Sequence, residues 1–148
     1  MRSKLICACV HDLLLCLSMA SQPASDPAQT DVLEIGSFVR GVHAYKDKWE
    51  PRIGEVLCLQ REPANSQDQF AVTIMRSGSV VGHVPRNLAP IFSPFLKRGC
   101  NKAYVEITGQ KVNQGAGHGV EAPCVYRLYG PIAYLQRTNE LVTQATNN

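Results

Sequence analysis

Cysteine, histidine and carboxylate side chains are the groups in this 148-residue sequence from which catalytic or metal chemistry would be built. Six cysteines and four histidines are present, but there is no Cys-x-x-Cys pair of the kind that supplies closely spaced zinc ligands. None of these residues lies in a local nucleophile signature, and Glu62, Asp68, Glu106 and Glu121 have no spacing that would pair them for acid–base catalysis. The sequence therefore predicts neither an enzyme nor a metal site, and it implies no cofactor.

The densest glycine cluster, at residues 114–119, has the composition of a phosphate-binding loop. Such a loop follows a strand, opens a helix and carries its own spacing, often with a Lys-Ser/Thr pair. This cluster instead lies between two strand-like runs with no such pair after it. It therefore predicts a hairpin loop, with His118 exposed to solvent at its tip.

The composition is that of one ordinary globular domain, because hydrophobic residues make up 45% and charged residues 18% of the chain. The length makes a multidomain enzyme unlikely. A net charge of +3 is too small to identify a nucleic-acid-binding protein, although it allows a locally basic groove. The cysteines of the main body, Cys58, Cys100 and Cys124, are an odd number and are interpreted as reduced.

The first thirty residues form a separate segment. Residues 1–20 have basic residues, an apolar run and a small-residue pattern that ends at Ala20, which together fit a secretory signal in part. The pair His11-Asp12 interrupts the apolar run, so the segment is interpreted as a disordered or weakly helical extension, with a cleaved signal peptide as the alternative. The predicted organisation is therefore an N-terminal extension at 1–30, a domain at 31–132 and a C-terminal tail at 133–148.

Apolar residues in the main body recur mostly at every second position, in short runs separated by turn residues, which indicates β-strands. The six predicted strands are 38–45, 55–61, 70–75, 80–84, 103–109 and 124–129. Between the fourth and fifth strands, 88–96 has helical spacing, interrupted by Pro90 and Pro94. The predicted fold is mainly β, a small OB-like or SH3-like six-stranded barrel with one short helix.

Several short motifs follow one another in an order that resembles the HIRAN domain family, from about Gly36 to Gly130. The matching segments are VRGVHAY at 39–45, GEVLCLQREPAN at 54–65, DQFAV at 68–72, VGHVP at 81–85, Glu121-x-Pro123-Cys124 and Tyr129-Gly130. The resemblance implies an OB-like β-barrel with a helix, in agreement with the strand pattern. It also implies a non-catalytic module that binds single-stranded nucleic acid, above all DNA 3′ ends, in repair or replication.

The family's DNA-binding pattern has an arginine and aromatic residues near the end of the first strand, and a tyrosine–aspartate pair after a Pro-x-Asn turn. Tyr45 and Asp68 match this pattern. His43, Ala44 and Gln67 stand where the arginine, one aromatic residue and the tyrosine would be. From the residues alone, Asp68 is also explained by local hydrogen bonds to the turn backbone.

The resemblance implies a set of nucleic-acid-binding residues, each with an expected role. They are Tyr45 or Trp49 as base-stacking residues, Lys46, Lys48, Arg61 and Arg86 as phosphate-binding residues, Asp68 as acceptor for a terminal sugar hydroxyl, and His43 and His83 as polar neighbours. Trp49 fits a buried anchor equally well, and the two lysines also fit a solvated loop.

A protein-interaction module that has lost DNA binding is the alternative function, and the substitutions at His43, Ala44 and Gln67 favour it. The expected partners are single-stranded DNA and a helicase or another protein, with no membrane, and the chain is expected to be a monomer. A nuclear or cytoplasmic location is predicted. A secreted protein is the third alternative, if residues 1–20 act as a signal peptide.

Overall fold

The computed structural model describes residues 31–115 and 117–148, so the predicted N-terminal extension lies outside the described residues. The described residues form six strands and two α-helices. In chain order they are β1 (Asp31–Val39), β2 (Val56–Arg61), β3 (Val72–Arg76), β4 (Ser79–His83), α1 (Ala89–Lys97), β5 (Lys102–Ile107), β6 (Ala122–Gly130) and α2 (Ile132–Asn147). A short 3-10 helix, Val42–Tyr45, follows β1.

All six strands belong to one antiparallel sheet with the spatial order β1-β6-β5-β2-β3-β4. Strand β6 alternates buried and half-buried positions along its whole length, as expected where one face of a strand covers a core. The predicted hairpin between β3 and β4 is present. Its two loop residues, Ser77 and Gly78, have φ of 52° and 83°, the positive values that match the twist of a tight hairpin.

The two edge strands of the sheet, β1 and β4, meet at one end. The N–H of Arg40 donates to the carbonyl of His83, and the N–H of His83 donates to the carbonyl of Arg40, both at 2.9 Å. Gly82 permits this approach, because a Cβ there would lie 2.5 Å from Cγ1 of Val39. The fold is thus confirmed as mainly β with six strands. This bridge does not close the sheet along its length, so the predicted barrel is not confirmed.

The hydrophobic core lies between one face of the sheet and the two helices. Its largest fully buried side chains include Tyr126, Phe92 and Ile74. Proline is compatible with the start of α1, because Pro90 lies in the first turn, where backbone N–H groups have no helical acceptor. Pro94 lies inside the helix, which is only nine residues long.

The C-terminal helix α2 corrects the prediction of a single helix, and it occupies most of the segment predicted as a C-terminal tail at 133–148. Leu135, Thr138 and Val142 are buried, at spacings of three and four that place them on one helical face. The guanidinium of Arg98, after α1, lies 4.3 Å from the ring centre of Tyr134. The segment is polar in overall composition, so its narrow apolar stripe gives only a weak helix signal in the sequence. Tertiary contacts through this stripe stabilise the helix.

The first strand also differs from its prediction at 38–45. Strand β1 begins at Asp31 and ends at Val39, and its neighbour β6 pairs with all nine of its residues. Gly41, with φ of 75°, ends the extended backbone and leads into the 3-10 helix. A glycine is favoured there because L side chains rarely adopt this conformation.

The outer face of the sheet, on the side away from the helices, has a small cluster of its own. Val56, Cys58 and Tyr104 are buried there, with Met75 and Tyr129 packed against them. None of the three cysteines among the described residues forms a disulfide, and Cys58 and Cys124 are buried whereas Cys100 is exposed.

Candidate functional site

A cleft of about 480 Å³ opens where the end of β1, the β2–β3 connection, the end of β4 and the β5–β6 loop meet. Its lining residues are Arg40, Asn65, Gln67, Asp68, Ala71, Val72, His83, Val84, Pro85, Arg86 and His118. The lining contains two arginines, two imidazoles and one carboxylate, that of Asp68. The cleft is therefore a polar site with several hydrogen-bond donors.

The β2–β3 connection forms one wall of the cleft and is held by its own side chains. Oδ1 of Asn65 accepts hydrogen bonds from the N–H groups of Gln67 at 2.8 Å and Asp68 at 3.1 Å. Oδ1 of Asp68 accepts one from the N–H of Phe70 at 2.9 Å. These are the local turn bonds that the sequence predicts. Within the described residues no side chain or backbone group donates to Oδ2 of Asp68, so this atom can accept a bond from a ligand.

An ion pair joins the end of β1 to the base of the β5–β6 loop. Nε of Arg40 donates to Oε2 of Glu121 at 2.6 Å, and the two side chains are 30% and 4% exposed. Glu121 is fixed by two backbone hydrogen bonds with Val112, each 2.8 Å long. Sequence reasoning missed Arg40 because its partner is 81 residues away, and no local pattern connects them.

Tyr45 and His83 pack beside the cleft, with ring centres 6.0 Å apart. Burial, followed by the nearby charge of Glu62, raises the pKa of Tyr45, so its hydroxyl is protonated at neutral pH. His43 lies close by against the β5–β6 loop, since a Cβ on Gly119 would be 3.3 Å from its ring. This packing connects the 3-10 helix to the loop.

The β5–β6 loop is the hairpin loop that its glycine content predicts. Gly115, Gly117 and Gly119 have φ of 74°, 84° and 69°, which are values that residues other than glycine rarely adopt. The loop carries His118, which is exposed as predicted but also lines the cleft. Its contribution to the cleft could not be predicted from a loop whose path depends on these glycine conformations.

The sequence-predicted residues fall into two groups. His43, Tyr45, Asp68, His83 and Arg86 lie in or beside the cleft. Lys46 and Lys48 are exposed in the turn that follows Tyr45.

Trp49 and Arg61 do not line the cleft. Trp49 is 4% exposed, and its Nε1 donates to Oε1 of Glu55 at 3.0 Å. Its indole is thus a buried anchor, the second of the two roles considered for it. Nε of Arg61 donates to Oγ of Ser93 on α1 at 3.1 Å, which joins β2 to that helix.

No group of three or more His, Cys, Asp or Glu side chains in the described part of the chain is arranged to hold a metal ion. In the same residues, no helix has both the length and the apolar character needed to cross a membrane.

The HIRAN domain family model matches residues 32–117, which is more than half of the chain. The fold is similar to the crystal structure of the HIRAN domain of human HLTF, with a TM-score of 0.59 and 18% identity over 76% of this chain and 88% of that chain. It is also similar to the NMR structure of the HLTF HIRAN domain in its DNA-bound conformation, with a TM-score of 0.58 and 18% identity over 80% of this chain and 93% of that one. Comparison with curated protein sequences gave no match. The family match and the shared fold agree with the motifs read from the sequence, and the chain belongs to the HIRAN domain family.

Proposed function

We propose that this chain is a non-catalytic module that binds single-stranded DNA at a 3′ end, in the context of DNA repair or replication. The observation that carries the proposal is the cleft, whose lining brings Arg40, Arg86, His83 and His118 together with the carboxylate of Asp68. Membership of a family with a DNA-bound relative supports a nucleic acid as the ligand. Cationic groups bind phosphates, and a lone carboxylate accepts a hydrogen bond from a sugar hydroxyl.

The size of the cleft favours the end of a strand over a duplex. Its volume of about 480 Å³ is within the range of roughly 300–1,000 Å³ typical of sites for one small ligand. A terminal nucleotide matches such a volume, whereas a duplex needs an open groove. Tyr45, half-buried beside His83, has the ring chemistry needed to stack on the adjoining base.

Three exposed cationic side chains lie at the cleft and in the turn after Tyr45. Lys46 and Lys48 are exposed there, and Arg86 is exposed at the cleft itself. These side chains would neutralise phosphates of the following nucleotides. Binding by such contacts weakens steeply as salt concentration rises. The reason is that binding releases counterions from the DNA, and this release is less favourable when the salt concentration in solution is high.

Asp68→Asn is the substitution that best tests the 3′-end proposal. The Asn side chain keeps an oxygen that can accept the bond from the N–H of Phe70, and it replaces Oδ2 by an NH₂ donor. Asp47→Asn is the matched control, because Asp47 is exposed nearby and does not line the cleft. Fluorescence anisotropy of the full-length chain is measured with labelled single strands that carry a free or a phosphorylated 3′ end.

The expected result is tighter binding of the free 3′ hydroxyl and about a tenfold loss of affinity in Asp68→Asn, as for a hydrogen bond to a charged group. Asp47→Asn, which also removes one negative charge, should bind at least as tightly as the unmodified chain. Equal affinity for both ends, or no effect of Asp68→Asn, would contradict end recognition. No binding at low salt by the folded chain would contradict nucleic-acid binding altogether and favour the protein-interaction alternative.

A further inference from the structure

We infer that Arg40 is a phosphate-binding residue of the cleft and that the buried carboxylate of Glu121 positions it. The inference rests on the proposed function, because it identifies which group of the strand this part of the cleft contacts. That group is a phosphodiester near the strand end, bound through its oxygens and independently of base sequence.

The backbone of Arg40 is fixed by the structure around it. Its N–H and carbonyl both bond to His83 at 2.9 Å, in the bridge that joins β1 to β4. His83 lines the cleft, so the backbone of Arg40 lies at its wall. A side chain that starts from a fixed backbone loses less conformational freedom when it binds a ligand.

The side chain of Arg40 is fixed along one edge only. A guanidinium has five N–H donors, and the bond from Nε to Oε2 of Glu121 uses one of them. Within the described residues no other acceptor is hydrogen-bonded to this guanidinium. The groups on Nη1 and Nη2 form a planar pair of donors that matches two oxygens of a phosphate.

The exposure of the two partners supports this division of roles. The Glu121 side chain is 4% exposed, whereas 30% of the Arg40 side chain is exposed and it lines the cleft. Glu121 also sits at the base of the β5–β6 loop, held by its backbone bonds to Val112. The carboxylate is therefore shielded from a ligand, and the arginine is accessible to one.

The charge of Glu121 offsets that of Arg40, which changes what the arginine can contribute. A neutral pair attracts DNA weakly at long range, and its stabilising effect appears at hydrogen-bond distance. The exposed Arg86 is paired with no carboxylate among the described side chains, so its charge contributes to the long-range attraction of DNA. Arg40 is thus suited to holding a phosphate in one position.

The test compares the affinity for DNA, and the salt dependence of that affinity, among variants of the full-length chain. The ligand is a labelled oligothymidine that has a free 3′ end. The double variant Arg40→Gln with Glu121→Gln removes both charges, leaves the net charge of the pair unchanged and allows an amide–amide hydrogen bond. Arg127→Gln is the matched control, because Arg127 is also paired with carboxylates but lies on the outer face of the sheet. Circular dichroism and thermal unfolding establish that each variant is folded.

For the double variant we expect about a tenfold loss of affinity, as for a lost charged hydrogen bond. Because the double variant leaves the net charge of the pair unchanged, the slope of log K against log salt should stay close to the original. Arg127→Gln should bind like the original chain. A purely structural ion pair would leave the affinity unchanged in a folded double variant, and this result would overturn the inference while the proposed function stands.

Three single variants decide the matter if the double variant does not fold. Arg40→Lys keeps the charge but not the planar donors, so the slope should be kept and the affinity should fall several-fold. Glu121→Gln keeps an acceptor for Nε, so it should bind within about threefold of the original, whereas Glu121→Ala should lose most of what the Arg40 variants lose. Unchanged affinity in both Arg40→Lys and Glu121→Ala overturns the inference. No binding by the original chain overturns the proposed function and this inference together.

Discussion

Two arginine–carboxylate clusters, one at the cleft and one on the outer face of the sheet, have similar bond lengths but different surroundings. Arg40 bonds to one carboxylate at 2.6 Å, and the Glu121 side chain that carries it is 4% exposed. Arg127 bonds to Glu34 at 2.7 Å and to Glu106 at 2.6 Å, and these two side chains are 57% and 25% exposed. The same chemistry is thus buried in one place and solvated in the other.

The difference concerns net charge as well as burial. The outer cluster has one positive and two negative charges, which would repel a DNA strand, and its two carboxylates raise the pKa of Arg127. The cleft pair is neutral and lies beside the cationic Arg86. An ion pair therefore indicates a nucleic-acid contact only where its carboxylate is shielded and its cation is accessible.

The largest expected effect is on stability, from Arg40→Ala. This substitution should lower the free energy of unfolding by about 3 kcal/mol, because it leaves the buried carboxylate of Glu121 without its partner. Urea denaturation followed by the fluorescence of Trp49, the single tryptophan, measures the change. A loss no larger than that from Arg127→Ala would mean that the two clusters are energetically equivalent.

The bridge that supports the cleft pair should be sensitive to a single methyl group. Gly82→Ala would put a Cβ 2.5 Å from Cγ1 of Val39 and 3.2 Å from the carbonyl oxygen of Arg40. The strands must shift, and we expect a loss of about 2 kcal/mol. Gly36→Ala in β1 is the control, since its Cβ would meet nothing within 4 Å, and its stability should be unchanged within about 0.5 kcal/mol. Urea denaturation of both variants makes the comparison, and equal effects would contradict it.

Alkaline pH should lower the free energy of unfolding through the buried thiol of Cys124, which lies in the core beside the cleft pair. Burial raises the pKa of Tyr126, and the nearby charge of Arg40 opposes this shift in part. Burial likewise raises the pKa of Cys124 from 9.0 to about 12, partly offset by its hydrogen bond with Tyr126. Below pH 9 the thiol is protonated in both states. Between pH 9 and pH 12 only the unfolded chain releases the proton, so stability falls as pH rises.

Between pH 9 and pH 10 this effect should lower the free energy of unfolding by about 1 kcal/mol. Urea denaturation at both pH values measures it, and Cys124→Ala should reduce the pH dependence by that amount. The same pH dependence in both proteins would show that Cys124 is not responsible.

The smallest expected effect is that of Arg127→Ala. Its carboxylate partners are partly solvated, so the loss of stability should be about 0.5 kcal/mol at low salt. At 1 M salt, where the Debye length is about 3 Å, the loss should disappear. Urea denaturation at two salt concentrations tests this. A loss that persists at high salt would show that the outer cluster is shielded from solvent in the same way as the cleft pair.

The sequence predicted those parts of the fold that depend on local patterns. Strand β6 could be found because its residues alternate strictly between the core and the outer face. The β3–β4 hairpin could be found because Gly78 marks the turn. Helix α2 was missed because three buried positions, Leu135, Thr138 and Val142, give a weak signal in a polar segment, and contacts with the rest of the domain stabilise it.

The candidate site was predictable only where one segment supplies the residues. Asp68 and Tyr45 follow from motifs in the chain, and the turn bonds of Asn65 follow from its side-chain chemistry. The pairing of Arg40 with Glu121 depends on tertiary structure. The burial of Trp49 could not be read from a residue type that suits both a core and a binding surface.

The pairing of β1 with β6 has a consequence for how the domain folds. Strands β2, β3 and β4 are neighbours both in sequence and in the sheet, with connections of ten and two residues, so they can assemble from local contacts. Strand β1 must instead find β6, the last strand along the chain, and closing so long a loop slows folding. Because Arg40 directly follows β1, the wall of the cleft is complete only once β1 has paired. A partly folded chain would contain the β2–β4 meander and lack the binding site.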